Sequence, residues 1–390
     1  MDRSSRLQRI AARAKTLPFY AERLAGVNPE DLNPEDLSAL PFTTRDELSA
    51  AFADPHDPHG GFLRDDVVQL HFTPAPGVGR MPEYLTRDDL RWQAEAMRAG
   101  LERQGLRSSD RCLVAFSYHL LAGGWLFHEG LALLGAKTLA LGPAEAETVL
   151  ELADRYAFNV LVANPSFARK LGEAGARFET LLAAGEPFSA VPGYRERVEA
   201  ALHCRAYDAY GLSETGVVAA ETQARDGLHP VEEAAVLEVL EPETLLPARD
   251  GERGEIVLTS LTREGMPILR FRTGDLAVKG SHAGKLVLPR GVVGRADAMV
   301  KVKGVKLYPR ELLFLLAGTA GVNFRNYQVV LSSRPDGTDV LTLRLEGSPD
   351  ADLETLKRRL RGALGIGVNE IRLEPSVTGE LVVDERRPQG

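Results

Sequence analysis

The stretch "AFNVLVANPSFARKL" (157–171) is the clearest sign of the fold in this 390-residue chain. An apolar run leads into a turn at Asn164-Pro165, and a segment with helical character follows. The same order recurs upstream and downstream, in "RCLVAFSY" (111–118), "GGWLFHEGLALLGAKTLAL" (123–141) and "RFETLLAAGEPF" (177–188). Strands that alternate with helices predict a parallel sheet of the α/β class.

The pattern changes twice after Gly216. Short β segments parted by turns come first: "AAVLEVLEP" (234–242), "GEIVLTSLT" (254–262) and "GKLVLPRG" (284–291). The last hundred residues then read as strand, strand, helix and strand. We therefore expect a large N-terminal domain of parallel α/β sheets plus a β-rich layer over 1–294. A small, mobile α+β C-terminal domain is expected over 295–390.

Composition narrows the class of protein. The net charge of −8 and the pI near 5.6 argue against nucleic acid or an anionic membrane as a partner. No apolar run reaches the length of a membrane span, and the first twenty residues lack the apolar centre of a signal peptide. The two cysteines share no motif, as in a protein from a reducing compartment. We expect a cytoplasmic protein.

The segment "AYDAYGLSETG" (206–216) falls, like "AAGEP" before it, where a strand ends, and ligands of parallel sheets gather at those ends. Tyr210 offers a flat face for a purine, and Asp208 offers an acceptor for its exocyclic amine. Ser213 can donate to a phosphate oxygen, and Glu214 can hold a hard cation such as magnesium. A polar loop whose tyrosines pack into the core explains the same residues equally well.

Two further segments carry candidate residues. In "LTREGMPILRFRTGDLA" (261–277), Asp275 can accept both hydroxyls of a ribose, although a turn aspartate is the common alternative. In "GRADAMVKVKGVKLYPRELL" (294–313), Arg295 can bind ribose or phosphate, and Asp297 lies at the predicted domain junction. A charged linker followed by a β-hairpin is the alternative for this segment.

Taken together, in this order and spacing, the three segments resemble the adenylate-forming superfamily, and within it the phenylacetate-CoA ligase family. The resemblance spans nearly the whole chain. It implies an AMP-forming ligase that activates an acyl or aryl carboxylate with ATP and Mg²⁺ and transfers it to coenzyme A. Its partners would then be a small carboxylate and a nucleotide, and a homodimer is a reasonable expectation.

The resemblance also implies a role for each matching residue. Tyr210 would stack on adenine, beside Asp208, Gly211 and the backbone around Gly185 and Glu186. Ser213 would face the α-phosphate, and Glu214 would hold magnesium. Asp275 and Arg295 would bind the ribose. Asp297 would be the hinge of the C-terminal domain, and Gly304 would lie near the pantetheine tunnel. Phe116 and Tyr118 match a segment that lines the acyl pocket, although core packing explains these two aromatics about as well.

The chain departs from the family pattern in its phosphate loop. The family has a loop rich in Ser, Thr and Gly, whereas this chain has "HFTPAPGVGRMPEYLTRDDL" (71–90). Pro74 and Pro76 have no amide hydrogen and so cannot donate to a phosphate. The remaining phosphate contacts expected here are Thr73, Gly77, Gly79 and Arg80.

The second departure concerns the C-terminal lysine that the family uses for adenylation. The matching stretch, "SVTGELVVDERR" (376–387), places Glu380 after Gly379. A carboxylate there opposes the developing phosphate charge, and the loss of such a cation costs roughly 10²–10³ in rate. Two functions follow from these observations: a ligase, or a degenerate homologue that binds nucleotide or acyl-adenylate, or performs only the thioester half-reaction, without efficient adenylation.

Overall fold

A computed structural model describes residues 1–75, 79–296, 300–302, 305–307, 309, 312, 316, 322, 324–334, 338–347, 353–364 and 367–386. The chain divides into two compact units. The first comprises Met1–Phe188, Glu196–Thr273 and Ala277–Gly291, and the second comprises Ser189–Arg195, Gly274–Leu276 and Val292–Gly390. The predicted domain boundary between residues 294 and 295 stays a prediction.

Helices and strands alternate along most of the first unit. The α-helices in the described ranges are α1 (Arg3–Ala14), α2 (Pro18–Ala21), α3 (Arg45–Ala51), α4 (Arg87–Arg103), α5 (Gly123–Leu134), α6 (Ala146–Tyr156), α7 (Pro165–Glu173), α8 (Tyr194–Leu202) and α9 (Leu353–Leu364). The strands there are β1 (Thr43–Thr44), β2 (Val67–Ala75), β3 (Gly79–Thr86), β4 (Arg111–Val114), β5 (Lys137–Ala140), β6 (Val160–Ala163), β7 (Thr180–Ala184), β8 (Arg205–Leu212), β9 (Gly216–Ala220), β10 (His229–Pro230), β11 (Ala235–Leu240), β12 (Arg253–Ser260), β13 (Phe271–Val278), β14 (Gly280–His282), β15 (Lys285–Val287), β16 (Val292–Arg295), β17 (Val300–Val302), β18 (Val305–Leu307), β19 (Asn326–Ser333), β20 (Asp339–Glu346), β21 (Glu370–Glu374) and β22 (Val382–Asp384).

The predicted parallel sheet is confirmed. Seven strands lie in the order β10-β9-β8-β7-β6-β4-β5. The five from β8 to β5 are parallel neighbours, whereas β9 and β10 continue the sheet antiparallel. Parallel strands need crossover connections, and α5, α6, α7 and α8 supply them. The carboxyl ends of β4, β6, β7 and β8 therefore meet along one edge.

The β-rich layer that the sequence predicts is also present. Strands β11 and β12 pair antiparallel over six residues, β13 lies next to β12, and β1 pairs parallel with β13. A separate two-stranded hairpin is formed by β2 and β3, and it leads into the altered phosphate loop. The structure does not describe residues 76–78 of that loop.

Local sequence signals fix where the helices begin. Asn164 accepts from the amide of Phe167 at 3.2 Å, and a proline occupies the first position of α7. Thr44 forms a capping box with Glu47 at α3, and Thr86 begins α4 in the same way with an aspartate. Helix α1 is amphipathic and buries Leu7, Ile10 and Ala14, as its periodicity predicts.

Among the described residues of the first unit, two large apolar clusters contribute to the core. One surrounds α1 and includes Tyr20, Phe62 and Trp92, and the other lies under the parallel sheet and includes Phe127. Both cysteines are free thiols, Cys112 is fully buried, and burial raises the pKa of each to about 12. In the described residues, no helix is long and apolar enough to cross a bilayer.

The second unit has its own sheet, in the order β21-β20-β19-β22. Strands β19 and β20 pair antiparallel over eight residues, as predicted, and both edge strands run parallel to their neighbours. Helix α9 packs on this sheet through Leu356 and Leu360, which are fully buried in one apolar cluster with Val329 and Leu343. A hairpin of β17 and β18 precedes the sheet.

Candidate functional site

The carboxyl ends of β7 and β8 bring two predicted nucleotide contacts together. Ala184 lies opposite Ala209 in the parallel register, so Gly185 and Tyr210 are the next residues along two neighbouring strands. Gly185 has a φ of +81°, which favours glycine, and a Cβ there would lie 3.7 Å from the ring of Phe116. The backbone of "AAGEP" and the ring of Tyr210 therefore share one edge of the sheet.

Asp208 and Tyr210 lie on the same face of β8, because side chains alternate along a strand. Both are buried. The amide of Asp208 donates to Glu221 Oε2 at 2.8 Å, and its carbonyl accepts from Glu221 N at 3.0 Å. These bonds hold Asp208 rigidly beside Tyr210.

Two glycines shape the turn between β8 and β9. A Cβ on Gly211 would lie 2.5 Å from the carbonyl oxygen of Gly216, and Gly216 itself has a φ of +76°. The strands can approach this closely only because Gly211 has no side chain. Ser213 and Glu214 lie in the turn, which the bond from Thr215 N to Leu212 O closes at 3.2 Å.

Glu214 is a buried carboxylate beside an arginine. Its side chain is 1% exposed, and Arg45 Nη1 at the start of α3 approaches Oε1 to 2.5 Å. That approach lacks the direction of a hydrogen bond, so Oε1 has no hydrogen-bond partner within the described part of the chain. A buried carboxylate oxygen is a hard ligand of the kind that Mg²⁺ prefers, although this one is already in contact with a guanidinium.

A second buried charge pair lies next to Glu214, and the sequence motifs did not reveal it. Glu83 on β3 and Arg263 after β12 are each 1% exposed at the side chain, and Arg263 Nη2 lies 3.5 Å from Glu83 Oε2. The same Nη2 donates to the carbonyl oxygen of Ser213 at 2.6 Å. The available signal was a carboxylate between mostly apolar neighbours in "MPEYL" (81–85) of β3.

Burial raises the pKa of Glu83 to about 7. The charges of Arg263 and Arg45 oppose this rise, and the negative charge of Glu214 adds to it. His71 faces Glu83 directly across the β2–β3 hairpin, and burial together with Arg263 lowers the pKa of its imidazole to about 4. The cluster under the Ser213–Glu214 turn is thus made of two arginines, two carboxylates and a neutral histidine.

The side chain of Glu186 has a structural contact. Its two oxygens accept from the amide of Ser166 at 3.0 Å and from the hydroxyl of Ser166 at 2.7 Å. Ser166 lies in the first turn of α7, where a carboxylate interacts favourably with the free amides and the helix dipole. Glu186 therefore stabilises the start of α7, next to the strand end that holds Gly185.

The two predicted acyl-pocket aromatics follow β4, which ends at Val114 and is shorter than the sequence indicated. Phe116 stacks on Phe127 with ring centroids 5.6 Å apart. Tyr118 packs edge-on against Trp125, and burial raises the pKa of its hydroxyl. The two aromatic residues, both partly buried, come next in the chain after one of the strands that meet at the candidate site.

Arg80 lies at the start of β3, directly opposite Pro74, and is exposed. Thr73 is buried and pairs with Met81. Gly77, a further predicted phosphate contact, lies outside the described residues, and Gly79 is the first residue of β3. The hairpin thus presents one cation, Arg80, to solvent beside the altered loop.

The remaining predicted residues belong to the second unit. Asp275 Oδ1 and Arg295 Nη1 form an ion pair at 3.1 Å, so the two predicted ribose contacts lie together. Asp297 and Gly304 lie outside the described residues. The convergence of Asp275 with Tyr210 and Glu214 in one nucleotide site stays a prediction.

Glu380 is exposed, and its backbone carbonyl accepts from Gln328 Nε2 at 2.8 Å. Two arginines near it in sequence are already held in ion pairs: Arg372 with Glu370 at 2.8 Å and Arg386 with Asp384 at 2.5 Å. The carboxylate at the expected lysine position is thus exposed, and the two nearby arginines that the structure describes are engaged with other carboxylates.

Comparison with known proteins agrees with this geometry. Residues 84–262 match the family described as AMP-binding enzyme. A phenylacetate-coenzyme A ligase of Thermus thermophilus is 31% identical over 368 residues, which cover 88% of this chain and 80% of the relative. The chain belongs to the phenylacetate-CoA ligase family. The Escherichia coli phenylacetate-coenzyme A ligase is 28% identical and covers 76% of this chain and 71% of its own length.

Solved structures show the same fold. A 2-hydroxyisobutyryl-CoA ligase in its postadenylation state, in complex with R3-HIB-AMP, superposes with a TM-score of 0.81 at 24% identity, over 98% of this chain and 89% of that one. An open conformation of that ligase, with 2-HIB-AMP and CoA, gives a TM-score of 0.77 at 25% identity, over 98% and 91% of the two chains. This member of the phenylacetate-CoA ligase family has the fold of the adenylate-forming superfamily.

Proposed function

We propose that this chain is an AMP-forming ligase that activates an aryl or acyl carboxylate with ATP and transfers it to coenzyme A. One observation carries the proposal. In a member of the phenylacetate-CoA ligase family, the adjoining ends of β7 and β8 present Gly185 and Tyr210 side by side, and Ser213 and Glu214 follow in the next turn. That arrangement supports binding of a purine nucleotide by its base and its phosphates.

Each residue takes the role that the family pattern gives its position. Tyr210 stacks on adenine, Asp208 accepts from its amine, and the Gly185–Glu186 and Gly211 backbones border the base. Ser213 donates to the α-phosphate, and Arg80 supplies a further positive charge. Asp275 and Arg295 hold the ribose. Phe116 and Tyr118 contact the organic acid, for which their rings favour an aromatic group.

Glu214 has the donor chemistry that magnesium prefers. A buried carboxylate oxygen without a directed hydrogen bond is a hard ligand, and Mg²⁺ is commonly held by one or two carboxylates together with substrate phosphates. When held there by Glu214, Mg²⁺ would neutralise charge on the phosphates. Arg45, which approaches the same oxygen, balances the charge of Glu214 when the ion is not bound.

The reaction requires no covalent attachment to the protein. A carboxylate oxygen attacks the α-phosphorus of ATP, the bond to the β-phosphate oxygen breaks, and pyrophosphate leaves. The thiolate of coenzyme A then attacks the carbonyl carbon of the acyl-adenylate, and AMP leaves. The protein contributes by holding the reactants in position and neutralising charge. We further propose that Asp297 is the hinge about which the C-terminal region turns between these two steps, with Gly304 beside the thiol.

A second function is favoured by one observation. Glu380 is exposed and negatively charged where the family carries its adenylation lysine, and Arg372 and Arg386 are held by other carboxylates. A chain of this kind binds nucleotide or acyl-adenylate, or carries out only the thioester half-reaction, without efficient adenylation. The two functions share the nucleotide site and differ in the first chemical step.

Pyrophosphate exchange distinguishes the two functions. The ligase catalyses exchange with at least one acid from a panel of aryl and aliphatic carboxylates. The degenerate homologue shows no exchange with any of them, although AMP still raises its melting temperature. The variant Glu380→Lys then gains exchange by roughly 10²–10³, because a cation opposite the transferring phosphate is restored. No change of the melting temperature with ATP, AMP or an acyl-adenylate analogue would remove both functions.

We also propose that the protein acts in the cytoplasm as a homodimer. The acidic pI and the mixed surface charge support a protein without nucleic-acid or membrane partners. Light scattering coupled to size exclusion measures the mass directly. A mass of one chain, 42.4 kDa, across the concentration range would show that the dimer is wrong.

A further inference from the structure

The turn that carries Ser213 and Glu214 is short of local support. Among the described residues, its own segment supplies the bond from Thr215 N to Leu212 O, a bond from Thr215 Oγ1 to Gly216 O at 3.3 Å and the neighbouring β8–β9 pairing. The Ser213 carbonyl accepts instead from Arg263, which is fifty residues away in sequence, at 2.6 Å. The orientation of the peptide between Ser213 and Glu214 therefore depends on a distant guanidinium.

That guanidinium is buried, so its charge needs compensation. The side chain of Arg263 is 1% exposed, and Glu83 on the β2–β3 hairpin supplies the opposite charge at 3.5 Å. Leaving either charge alone in the interior is costly, because a buried ion loses its hydration. Glu83 also lies opposite His71, which is buried and held by Gln69 at 2.8 Å. The Glu83 carboxylate that balances Arg263 therefore belongs to the hairpin that leads into the phosphate loop.

The two contacts of Arg263 link two different parts of the proposed site. One is the backbone of the turn that presents Ser213 and Glu214, and the other is the β2–β3 hairpin, whose strands flank the altered phosphate loop in the sequence. The guanidinium suits this task, because it is planar and directs several donors in fixed directions. Both contacts are made by one nitrogen, Nη2, which the rigid guanidinium plane holds in place. A lysine ammonium lies at the end of a flexible stem and lacks that fixed position.

We infer that Arg263, with its charge balanced by Glu83, is a positioning residue that fixes the Ser213–Glu214 peptide for nucleotide binding. This inference rests on the proposed function, since it assigns the support of the residues that face phosphate and magnesium. The role assigned to Arg263 needs no contact with the nucleotide or the acid. It acts through the carbonyl of Ser213.

Three variants separate this role from simple charge balance. Arg263→Met leaves Glu83 without its partner and the Ser213 carbonyl without its donor, so it lowers the melting temperature and weakens MgATP binding. The double variant Glu83→Gln with Arg263→Met has no unbalanced charge, and such neutral replacements of buried pairs are well tolerated. Arg263→Lys keeps the charge and removes the rigid guanidinium plane that places Nη2.

Two measurements are made on each variant: thermal unfolding, and the Kd for MgATP by titration calorimetry. The double variant recovers most of the melting temperature that Arg263→Met loses. Its Kd nevertheless stays roughly tenfold or more above the wild-type value, because a hydrogen bond from a charged donor is still missing. Arg263→Lys weakens binding in the same direction. Hydrogen exchange of the 209–217 segment rises in all three variants.

Arg270 supplies a matched control. It is also a buried arginine that links a carboxylate to a backbone carbonyl, with Glu238 at 3.0 Å and Leu40 O at 3.3 Å. Arg270→Lys lowers the melting temperature without changing exchange in the 209–217 segment or the Kd for MgATP.

The outcomes are distinct. If the wild type binds MgATP and the double variant binds it equally well, the inference is overturned, while the proposed function stands. Faster exchange in the 209–217 segment with an unchanged Kd also overturns it, because the pair is then only structural. If the wild type binds neither ATP nor AMP, the proposed function is wrong and the inference falls with it.

Discussion

Glu83 is a carboxylate in the interior, and the pH of the solution decides whether it carries a charge. Burial raises its pKa from 4.5 to about 7. Between these two values the folded protein holds a proton that the unfolded chain has released. The contribution of Glu83 to stability is therefore greatest at low pH, falls as the pH rises from about 4.5 to about 7, and is constant above that.

The variant Glu83→Gln tests this pH dependence. The variant leaves Arg263 without its ionised partner, which costs stability, but it lacks the group whose titration weakens the wild type as the pH rises. Its stability relative to the wild type is therefore expected to rise by up to about 3 kcal/mol between pH 5 and pH 8. His71 acts in the opposite sense, because its pKa falls to about 4 on folding, but it is present in both proteins and cancels in the difference. Urea unfolding at several pH values measures the difference in the free energy of unfolding between the two proteins. A pH-independent difference would contradict the assignment.

Glu214 pairs with Arg45 in the interior and is proposed to bind magnesium. Replacing its carboxylate with a neutral amide tests both the pairing and the proposed magnesium binding. Glu214→Gln leaves Arg45 with an unbalanced charge, which is expected to cost about 3 kcal/mol of stability. It also removes the magnesium dependence of ATP affinity, which calorimetry with and without Mg²⁺ detects. The control Glu255→Gln breaks a similar buried pair, with Arg272 at 2.6 Å, and should leave the magnesium dependence unchanged.

Sequence reasoning found the candidate residues that lie within one segment and missed those that come from several. Tyr210, Ser213 and Glu214 lie in one segment of eleven residues (206–216), so their types and spacing were visible together. Arg45, Glu83 and Arg263 meet only after the chain has folded, since Arg263 and Glu83 are 180 residues apart. A local pattern holds no information about such a pairing.

At the level of helices and strands, packing constraints are visible where a glycine faces another helix. Gly130 on α5 is close-packed against α4: a Cβ there would lie 2.1 Å from Met97 Cγ and 3.3 Å from the amide of Arg98. The backbone cannot move apart without breaking the contact between the two helices. The glycine is thus required by the packing and not by the helix itself.

Gly130→Ala is expected to destabilise the protein by about 1–3 kcal/mol, although alanine favours the helix by up to about 1 kcal/mol. Met97→Ala in the same chain relieves part of the clash, so the double variant should lose less than the sum of the two single losses. Thermal and urea unfolding of the four proteins measure this coupling. Additive losses would show that the helices separate instead.

The ends of helices and strands were predicted well where the spacing of apolar residues and the capping residues indicate the same boundary. They were predicted less well where the packing of aromatic rings determines the end of a strand. Asn164-Pro165 was read correctly as the break between β6 and α7. The run "RCLVAFSY" was read as one strand, but β4 ends at Val114. Phe116 and Tyr118 stack on α5 instead, because ring packing outweighs their preference for strands.

For the whole molecule, the order of strands and helices was enough to predict the α/β sheet, the β-rich layer and the separate C-terminal fold. What it could not supply is the register that sets Gly185 beside Tyr210, since that depends on how two strands slide against each other. The proposed rotation about Asp297 is likewise a property of the whole chain, and it can be tested by kinetics.

Asp297→Pro restricts the backbone at the proposed hinge, because proline fixes φ near −65°. If the C-terminal region must turn between the two steps, the variant retains pyrophosphate exchange and loses thioester formation by tenfold or more. Asp384→Pro, a proline at another site of the same region, is the control and should affect both steps alike. Equal losses in both half-reactions of Asp297→Pro would show that the residue is not a hinge.

The two protonated thiols give this chain a practical advantage for such work. Alkylating dyes react with thiolates, and burial raises the pKa of Cys112 and Cys204 to about 12, so both thiols are protonated near neutral pH. The unmodified protein should therefore take up little maleimide in native buffer. A cysteine introduced at exposed Glu380 and another on the outer surface of α6, at Tyr156, would accept a donor and acceptor fluorophore. Energy transfer between them would then follow movement of the C-terminal region during turnover.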